Sequence, residues 1–386
     1  MNERERWLAC VTFGDADRFI FEHSFGLMPG TLERWHNEGL PEEIGESEIR
    51  DYFGFDRPPI GLPVNFGLHP PFEQKTLSDK NGVIITQDSM GTKRKLKKGV
   101  TTISLPYEFP IAGPDDWPEY ESRLQYSPER ISDDLGSKHN QARQNGRAIR
   151  VGWKGFYWFP RDLMGDEKLC LSYYTQPDFI KKLLQTYSNM LFAVSEEMLG
   201  RVDVDWMHMS EDMCYRSAMM VSPDIFREFM MPHYKRIIGL YRSHGTRIFS
   251  VDTDGHLGQL LPLLIEAGIN AVLPCEVRAG NDICELREKY GEQMAFMRGI
   301  NKLALADNPT PLLPMKNSST SNPQKAIEDE ISYRVPPMIR TGGYVAGLDH
   351  RVVPETSLES FTFYVRKVRE TLGLCLDVPV FSGNHS

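Results

Sequence analysis

The chain has 386 residues, of which 40% are hydrophobic and 25% are charged, and its net charge at pH 7 is -9. These values are typical of a globular protein, and the negative charge argues against the basic surface that nucleic-acid-binding proteins carry. No apolar run approaches the roughly 18 residues that a membrane helix needs, and no hydrophobic signal core follows the charged N-terminus. We therefore expect a cytoplasmic protein that binds neither nucleic acid nor membranes.

The N-terminal third has little periodicity, apart from two β-rich segments at residues 83–87 and 100–105. A basic run between them, Lys93 to Lys98, is typical of a solvated turn. The pattern predicts a β-hairpin excursion in the N-terminal part of the chain, with the basic run at its tip. An aromatic run at residues 153–160 follows a further predicted strand. It fits either core packing or an aromatic wall for a flat substrate.

Strands and helices alternate through the rest of the chain. Apolar residues at helical spacing predict a helix at residues 177–199, and Pro177 suits its first turn. Further strands are predicted at 202–209, 247–251, 269–274, 293–298 and 344–348, and further helices at about 222–242, 257–267, 282–290 and 357–372. Repeated strand–helix units predict a parallel sheet in the α/β class.

So many units in one chain favour a closed (β/α)8 TIM barrel over an open sheet. We predict a single domain that spans residues 1–386. Residues 307–324, which include four prolines with several Ser and Asn, are predicted to form a loop insertion.

Polar residues lie at the ends of four predicted strands in this part of the chain. They are His208, Glu211 and Asp212 at the end of the strand 202–209, Asp252 and Asp254 after 247–251, Cys275 and Glu276 after 269–274, and Asp349 and His350 after 344–348. The carboxyl ends of barrel strands form the active-site face, so we expect these side chains to converge.

Each of these residues also has a purely structural interpretation. Asp254 fits a helix cap equally well, and a lone Cys275 is more often a small buried apolar residue than a ligand. Glu211 and Asp212 fit acids in the first turn of a helix, and His350 fits a hydrogen-bonded structural histidine. Their shared position at one end of the sheet is what favours a functional role.

Asp252, Asp254 and Cys275 combine carboxylate and thiolate ligands, which zinc accepts. Asp254 and Cys275 are separated by one strand–helix–strand step of a barrel. The chain contains no HExxH motif and no CxxC pair. It also has no dinucleotide-binding GxGxxG, phosphate-binding GxxxxGK[ST] or nucleophile-elbow GxSxG, so hydride transfer by a Rossmann fold and serine hydrolysis are unsupported.

The chain resembles the uroporphyrinogen decarboxylase superfamily, whose members are (β/α)8 barrels, over most of its length and most strongly in residues 204–300. The resemblance rests on "VDWMHMSEDMCYRSAMMVSPDIFREFMMPHYKRII" and on "HGTRIFSVDTDGHLGQLLPLLIEAGINAVLPCEV". The later segment "GGYVAGLDHRVVPETS" resembles the family's terminal strand, and His350 falls on the histidine that decarboxylases have there.

The N-terminal third differs from the decarboxylases, which carry an arginine-rich porphyrinogen-binding motif. Here that region is "FEHSFGLMPGTLERWHNEGLP", with Arg34 as its one arginine, and the decarboxylase aspartate has no counterpart near residues 63–72. "SFGLMPGTLERWHNEGLP" and "WKGFYWFPRDLMGDEKL" are more similar to the methyltransferase-type members. The resemblance therefore implies zinc-assisted transfer of a methyl group from a small methylated substrate to a corrinoid carried by a partner protein.

Some of those members bind zinc with a His-x-Cys pair, but Asp252-Thr253-Asp254 stands at that place here. The expected roles are therefore assigned as follows: Asp254, Cys275 and Glu276 as metal ligands; His350, Asp252 and Glu211 as catalytic residues; and Tyr157, Trp158, Asp212 and His208 as substrate-pocket residues. Two alternatives stay open, namely porphyrinogen-type decarboxylation and a non-catalytic binding homologue. A homodimer is among the open oligomeric states.

Overall fold

The computed structural model describes residues 1–98, 104–308 and 322–376. Eight parallel strands form the main sheet in the order β1-β12-β11-β10-β9-β8-β7-β2, and β3 to β6 form a second, antiparallel sheet. The strands are β1 Ile20–Phe21, β2 Ile60–Gly61, β3 Lys75–Lys80, β4 Val83–Gln87, β5 Lys93–Lys97, β6 Leu105–Glu108, β7 Ile149–Lys154, β8 Trp206–Ser210, β9 Ile248–Asp252, β10 Ala271–Leu273, β11 Ala295–Met297 and β12 Tyr344–Ala346.

Helices connect the parallel strands and cover the outer face of the sheet. They are α1 Glu3–Val11, α2 Thr31–Asn37, α3 Ile49–Tyr52, α4 Trp117–Arg123, α5 Leu135–Gln144, α6 Trp158–Met164, α7 Asp166–Thr175, α8 Pro177–Leu199, α9 Pro223–Ile225, α10 Met231–Ser243, α11 Leu260–Ala267, α12 Ile283–Tyr290, α13 Pro323–Thr341 and α14 Leu358–Thr371. A π-helical segment, Phe226–Met230, joins α9 to α10. None of the described helices is long and apolar enough to cross a membrane.

The main sheet curls, and its two faces pack into two separate cores. Successive strand residues point to opposite faces. Residues such as Phe21, Met207 and Phe249 pack outward against the helices. The neighbouring Ile20, Trp206 and Ile248 pack together inside the sheet, at the amino ends of the strands.

Helix α1 plugs the amino-terminal end of this interior with Trp7, Leu8, Cys10 and Val11. The two outermost strands approach each other at Asp56, just before β2. Its backbone N–H donates to the Phe21 carbonyl at 2.9 Å, and its carboxylate accepts from the Phe21 N–H at 2.9 Å. The sheet therefore encloses an interior that is blocked at one end, as in TIM-barrel-like folds, and any cavity inside it must open toward the carboxyl ends of the strands.

The hairpin predicted for the N-terminal part is not confirmed in the form expected. The basic run is a strand, β5, which pairs with β4 on one side and β6 on the other. Its cations flank Leu96, and Lys93 contacts Glu108 of β6 at the edge of this sheet. Long cationic side chains suit an exposed sheet, so charge alone does not mark a turn. Residues 99–103, most of the second predicted strand, lie outside the described residues.

The C-terminal half agrees with the predicted elements except for helix α13, Pro323–Thr341, which has no counterpart among the predicted helices. Helix α8 has the predicted bounds. Each predicted strand from β8 to β12 is present, and all but β9 are shorter than expected. Most of the predicted 307–324 insertion, residues 309–321, lies outside the described residues, and helix α13 already begins at Pro323.

One buried ionic cluster joins α13 to the start of α12. Arg334 is fully enclosed, and its guanidinium contacts Glu330 at 2.5 Å and Asp282 at 3.3 Å. Asp282 also caps α12, because its side chain accepts the Cys284 N–H at 2.9 Å. An arginine held between two buried carboxylates has its charge compensated on both sides.

Candidate active site

A cavity of about 440 Å³ lies inside the curled sheet, beyond the apolar plug. Its charged and imidazole-bearing lining comes from the segment after β1, from α3, from inward positions of β7, β8 and β9, and from the residue that follows β11. These side chains include Glu22, His23, Arg50, Arg150, His208, Asp252 and Arg298. Strand alternation explains this selection, since Arg150 lies between the core residues Ile149 and Val151.

Arg298 is held at the cavity wall by several contacts. It is only 5% exposed, its backbone has a positive φ of 75°, and its Nε donates to Glu22 at 3.2 Å. Its guanidinium carbon lies 3.8 Å from the centroid of the Phe25 ring. A left-handed backbone at a non-glycine residue costs about 1–3 kcal/mol. The surrounding contacts thus fix this cation in one orientation.

Arg50 and Arg150 are more lightly held. Within residues 1–98, 104–308 and 322–376, neither guanidinium has an ion-pair or hydrogen-bond partner. Arg150 lies over the Trp206 ring, with 5.5 Å between its guanidinium carbon and the ring centroid. Burial lowers the pKa of Arg150, although the charges of Glu22 and Asp252 oppose this effect. An arginine remains cationic at any physiological pH.

Asp252 ends strand β9. Of the acids that line the cavity, its carboxyl group has the most strongly shifted pKa. Burial raises its pKa to about 7; Arg298 and His350 lower the value, while Asp254 and Asp212 raise it further. Its carboxylate receives no hydrogen bond from the described part of the chain. A carboxyl group with a pKa near neutrality can both donate and accept a proton at physiological pH.

His208 is a neutral hydrogen-bonding group in the same wall. Burial lowers its pKa well below the usual value, and the cations Arg150 and Arg298 lower it further. The Trp206 indole N–H donates to Ser250 Oγ at 2.6 Å, and Ser250 Oγ lies 2.7 Å from His208 Nδ1. Since Ser250 Oγ accepts the indole N–H, its own proton is available for a hydrogen bond to His208 Nδ1. The other ring nitrogen, Nε2, then carries the proton.

A second polar group lies at the carboxyl ends of the strands. His350 Nε2 contacts Asp254 Oδ1 at 3.0 Å, and the Asp254 N–H donates to Asp212 Oδ1 at 3.1 Å. Burial lowers the pKa of His350, but the hydrogen bond and charge of Asp254 outweigh that effect and raise it. The rings of His350 and the cavity residue Phe25 are 5.9 Å apart. Asp254 thus pairs with His350, and the N-cap of α11 is Gln259.

Glu211, predicted to be catalytic, instead anchors the start of helix α6. It is fully buried, and its carboxylate accepts the N–H groups of Phe156, Tyr157 and Trp158 at 2.7–3.1 Å, together with the Tyr234 hydroxyl. Burial raises its pKa to about 7, while these hydrogen bonds lower it. Three of the four hydrogen bonds to the Glu211 carboxylate come from N–H groups at the start of α6, where an anion is favoured.

The three predicted metal ligands do not converge. Cys275 is completely buried, its Sγ donates to the Val272 carbonyl at 3.8 Å, and burial raises its pKa to about 12. Glu276 accepts the Gly255 N–H at 3.1 Å. In the described parts of the chain, no three His, Cys, Asp or Glu side chains are grouped so that they can hold a metal ion. The donor set Asp254, Cys275 and Glu276 therefore does not fit zinc in this arrangement.

The aromatic run after β7 contributes to a second cavity. This cavity has a volume of about 410 Å³ and is lined by Phe66, Met90, Trp153, Lys154, Phe159 and Tyr187. The two residues predicted for the substrate pocket lie elsewhere: the Tyr157 hydroxyl donates to Asp166 at 3.0 Å, and the Trp158 indole donates to Asp162 at 3.0 Å. Of the four predicted pocket residues, only His208 lines the central cavity, and Asp212 lies beside it next to Asp254.

Sequence reasoning missed the arginines and the segment after β1. Arg298 directly follows β11, so the strand-end rule that selected Asp252 applies to it equally. Arg150 lies on the inner face of β7, where the alternation with Ile149 and Val151 is a usable signal. Strand β1 has only two residues, which is too short for periodicity to reveal His23 and Glu22 behind it.

Comparison with known proteins supports the fold independently. A sequence model of the family "Uroporphyrinogen decarboxylase (URO-D)" matches residues 162–371, more than half of the chain. A methyltransferase from Methanosarcina mazei superposes with a TM-score of 0.55 at 14% identity, over 96% of this chain and 99% of that one. A B12-independent methionine synthase from Shewanella sp. W3-18-1 gives a TM-score of 0.40 at 11% identity, over 92% of this chain and 99% of the other.

None of the curated protein sequences matches the chain. The family match covers the strands and helices from α7 to α14, which carry Asp252, Arg298 and His350. The chain belongs to the uroporphyrinogen decarboxylase family.

Proposed function

We propose that the chain is an enzyme of the methyl-transfer type that acts on a small methylated substrate bound in the central cavity. Two findings support this proposal. One fold neighbour that spans nearly all of both chains, with a TM-score of 0.55, is a methyltransferase. The cavity, at about 440 Å³, lies in the lower part of the range of about 300–1,000 Å³ that is usual for small-molecule sites.

The observation that carries the proposal is the position of Asp252 in the cavity together with its raised pKa. When a methyl group leaves an oxygen, nitrogen or sulfur atom, that atom keeps the bonding electron pair and takes up a proton. Asp252, with a pKa raised to about 7 by burial, holds a proton that it can give at neutral pH. Its position inside the cavity gives that proton access to a bound substrate.

The methyl acceptor in this proposal is a corrinoid carried by a second protein, as the resemblance to methyltransferase-type members implies. When such a corrinoid is bound, it would supply the electron pair for the new bond to the methyl carbon, so electrons would balance without another reductant. Because the residues predicted to bind zinc do not converge, no step is assigned to a metal ion. Asp252 gives the proton, and His208 contributes a fixed N–H donor.

Decarboxylation is the second candidate, and the arginines favour it. The sequence lacks the arginine-rich segment of the decarboxylases, which suggested a shortage of cationic contacts. The cavity nevertheless contains Arg50, Arg150 and Arg298, because residues distant in sequence meet inside the sheet. Cations for carboxylates and a proton donor such as Asp252 are what a decarboxylation requires. The cavity volume still favours a substrate smaller than a four-ring porphyrinogen.

The experiment compares the two reactions directly. The purified chain is incubated with chemically reduced cobalamin and methoxyacetate, and the demethylated acid is measured by mass spectrometry. Parallel reactions contain uroporphyrinogen, and coproporphyrinogen is measured. We expect demethylation with wild-type protein and a rate about 10²–10⁴-fold lower for Asp252→Asn, while the exposed control Asp224→Asn stays at the wild-type rate.

Two results would contradict the proposal. Conversion of uroporphyrinogen at about one turnover per second or faster, within the usual range for enzymes, would identify the chain as a decarboxylase. Turnover of neither substrate by wild-type protein, with methoxyacetate shown to bind, would favour the non-catalytic binding homologue.

A further inference from the structure

The charges around the central cavity are unevenly compensated. The acids in its wall already have partners: Glu22 accepts from Arg298 at 3.2 Å, Asp56 is paired with Arg18 at 2.5 Å, and Glu46 accepts the Leu27 N–H at 3.2 Å. Asp252 is the exception, and burial raises its pKa to about 7.

Two of the three arginines are the reverse case. Neither Arg50 nor Arg150 has an ion-pair partner in the described parts of the chain. Arg150 and Arg298 line the same cavity, and the charge of Arg298 lowers the pKa of Arg150. An unpaired cation beside a second cation in a partly buried wall is costly unless something of opposite charge is bound there.

Two buried nitrogen atoms in the same wall also have no partner. Arg298 Nη1 and His23 Nε2 are enclosed without a hydrogen bond in the described structure. Burial lowers the pKa of His23 to about 4, and the charges of Arg50 and Arg298 lower it further, so this ring is neutral. Buried polar groups in folded proteins are nearly always paired, and both of these atoms belong to residues that line the cavity.

We infer that the central cavity binds a small oxyanion group of the substrate, a carboxylate or a phosphate, between Arg150 and Arg298. An oxyanion neutralises the repulsion between these arginines and accepts the free Nη1–H of Arg298. Arginine presents N–H groups in a planar fork that matches carboxylate and phosphate oxygens. This inference rests on the proposed function, because it names the chemical class of the substrate of that same site.

An anion held between Arg150 and Arg298 shares the cavity with Asp252. Arg150 lies near the start of β7, whereas Arg298 and Asp252 both lie at the carboxyl ends of their strands, and all three line the same cavity. The substrate class that fits this lining is a small organic acid or phosphate ester that also carries the methyl group.

The test measures binding without a methyl acceptor. Calorimetry of the full chain uses three probes: methoxyacetate, its neutral analogue 2-methoxyacetamide, and inorganic phosphate. Variants are Arg150→Gln, which removes the charge, and Arg150→Lys, which keeps it if the first variant fails to fold. Arg201→Gln is the matched control, because Arg201 pairs with Glu197 on the surface. Circular dichroism confirms folding of each variant.

We expect methoxyacetate to bind at least about tenfold more tightly than its amide, a ratio that corresponds to about 1.4 kcal/mol. Arg150→Gln should remove this preference, Arg150→Lys should retain part of it, and Arg201→Gln should leave it intact. Tight binding of phosphate in place of methoxyacetate, with the same dependence on Arg150, identifies the oxyanion as phosphate and supports the inference.

The inference is overturned if neither anion binds better than the amide, or if Arg150→Gln behaves like the surface control. The proposed function fails separately. A chain that binds an anion through Arg150 but transfers no methyl group keeps the anion site and loses the methyl-transfer assignment. A chain that demethylates neutral substrates but binds no anion keeps the methyl-transfer assignment and loses the anion site.

Discussion

Replacement of Asp252 by asparagine is expected to stabilise the protein in neutral and alkaline solution. Burial raises the pKa of Asp252 from its ordinary value of 3.8 to about 7, so the folded state disfavours the charged form. Below pH 4 both the folded and unfolded states are protonated, and the site contributes nothing. As the pH rises from about 4 to 7, the unfolded chain ionises first and the wild type loses stability. Above pH 7 the loss is complete.

The size of the effect follows from the pKa values. One pKa unit corresponds to about 1.4 kcal/mol, so the full loss is about 4 kcal/mol. Part of it is already present at pH 5, which leaves a change of about 2.5 kcal/mol between pH 5 and pH 8. The Asp252→Asn variant does not titrate at this position, so its advantage over wild type should grow by that amount across the interval.

The measurement is urea denaturation of wild type and variant at both pH values, followed by tryptophan fluorescence. Asp224→Asn, a change at a side chain that is 98% exposed, controls for the general effect of removing a carboxylate. If the stability difference between Asp252→Asn and wild type is the same at pH 5 and pH 8 within about 0.5 kcal/mol, Asp252 ionises normally. Its assignment as the proton donor then loses its physical basis.

Three further predictions concern residues outside the cavity. Arg334→Met leaves two buried carboxylates without their cation and should lower the free energy of unfolding by about 3–5 kcal/mol; a loss below 1 kcal/mol in urea denaturation is incompatible with the buried cluster. Tyr234→Phe removes a donor to the enclosed Glu211 and should cost about 1.5–3 kcal/mol in the same assay. Cys275→Ser should leave the zinc content of protein prepared with added zinc unchanged, and a fall measured by elemental analysis would restore Cys275 as a ligand.

The candidate site was only partly predictable, and the pattern of success has a physical cause. Asp252 and His208 were found because the carboxyl ends of parallel strands meet at one edge of a sheet. Glu211 was selected by the same rule, but it lies one step beyond β8 and turns toward the N–H groups of α6. Cys275 follows β10 and turns into the core. A position directly after a strand places a residue at the carboxyl-end face of the sheet. The direction in which its side chain points depends on the residues packed around it.

The sequence by itself determined the order of the strands and helices in the C-terminal half apart from helix α13, because helical and strand periodicity are local properties of the chain. It also determined the family, through the motifs in residues 204–300. Only the tertiary structure decided which charged residues share the cavity. Arg150 and Arg298 meet because the sheet curls and brings distant strands to one interior. No local pattern records that closure, since it depends on pairing between residues far apart in the chain and on the plug that α1 makes.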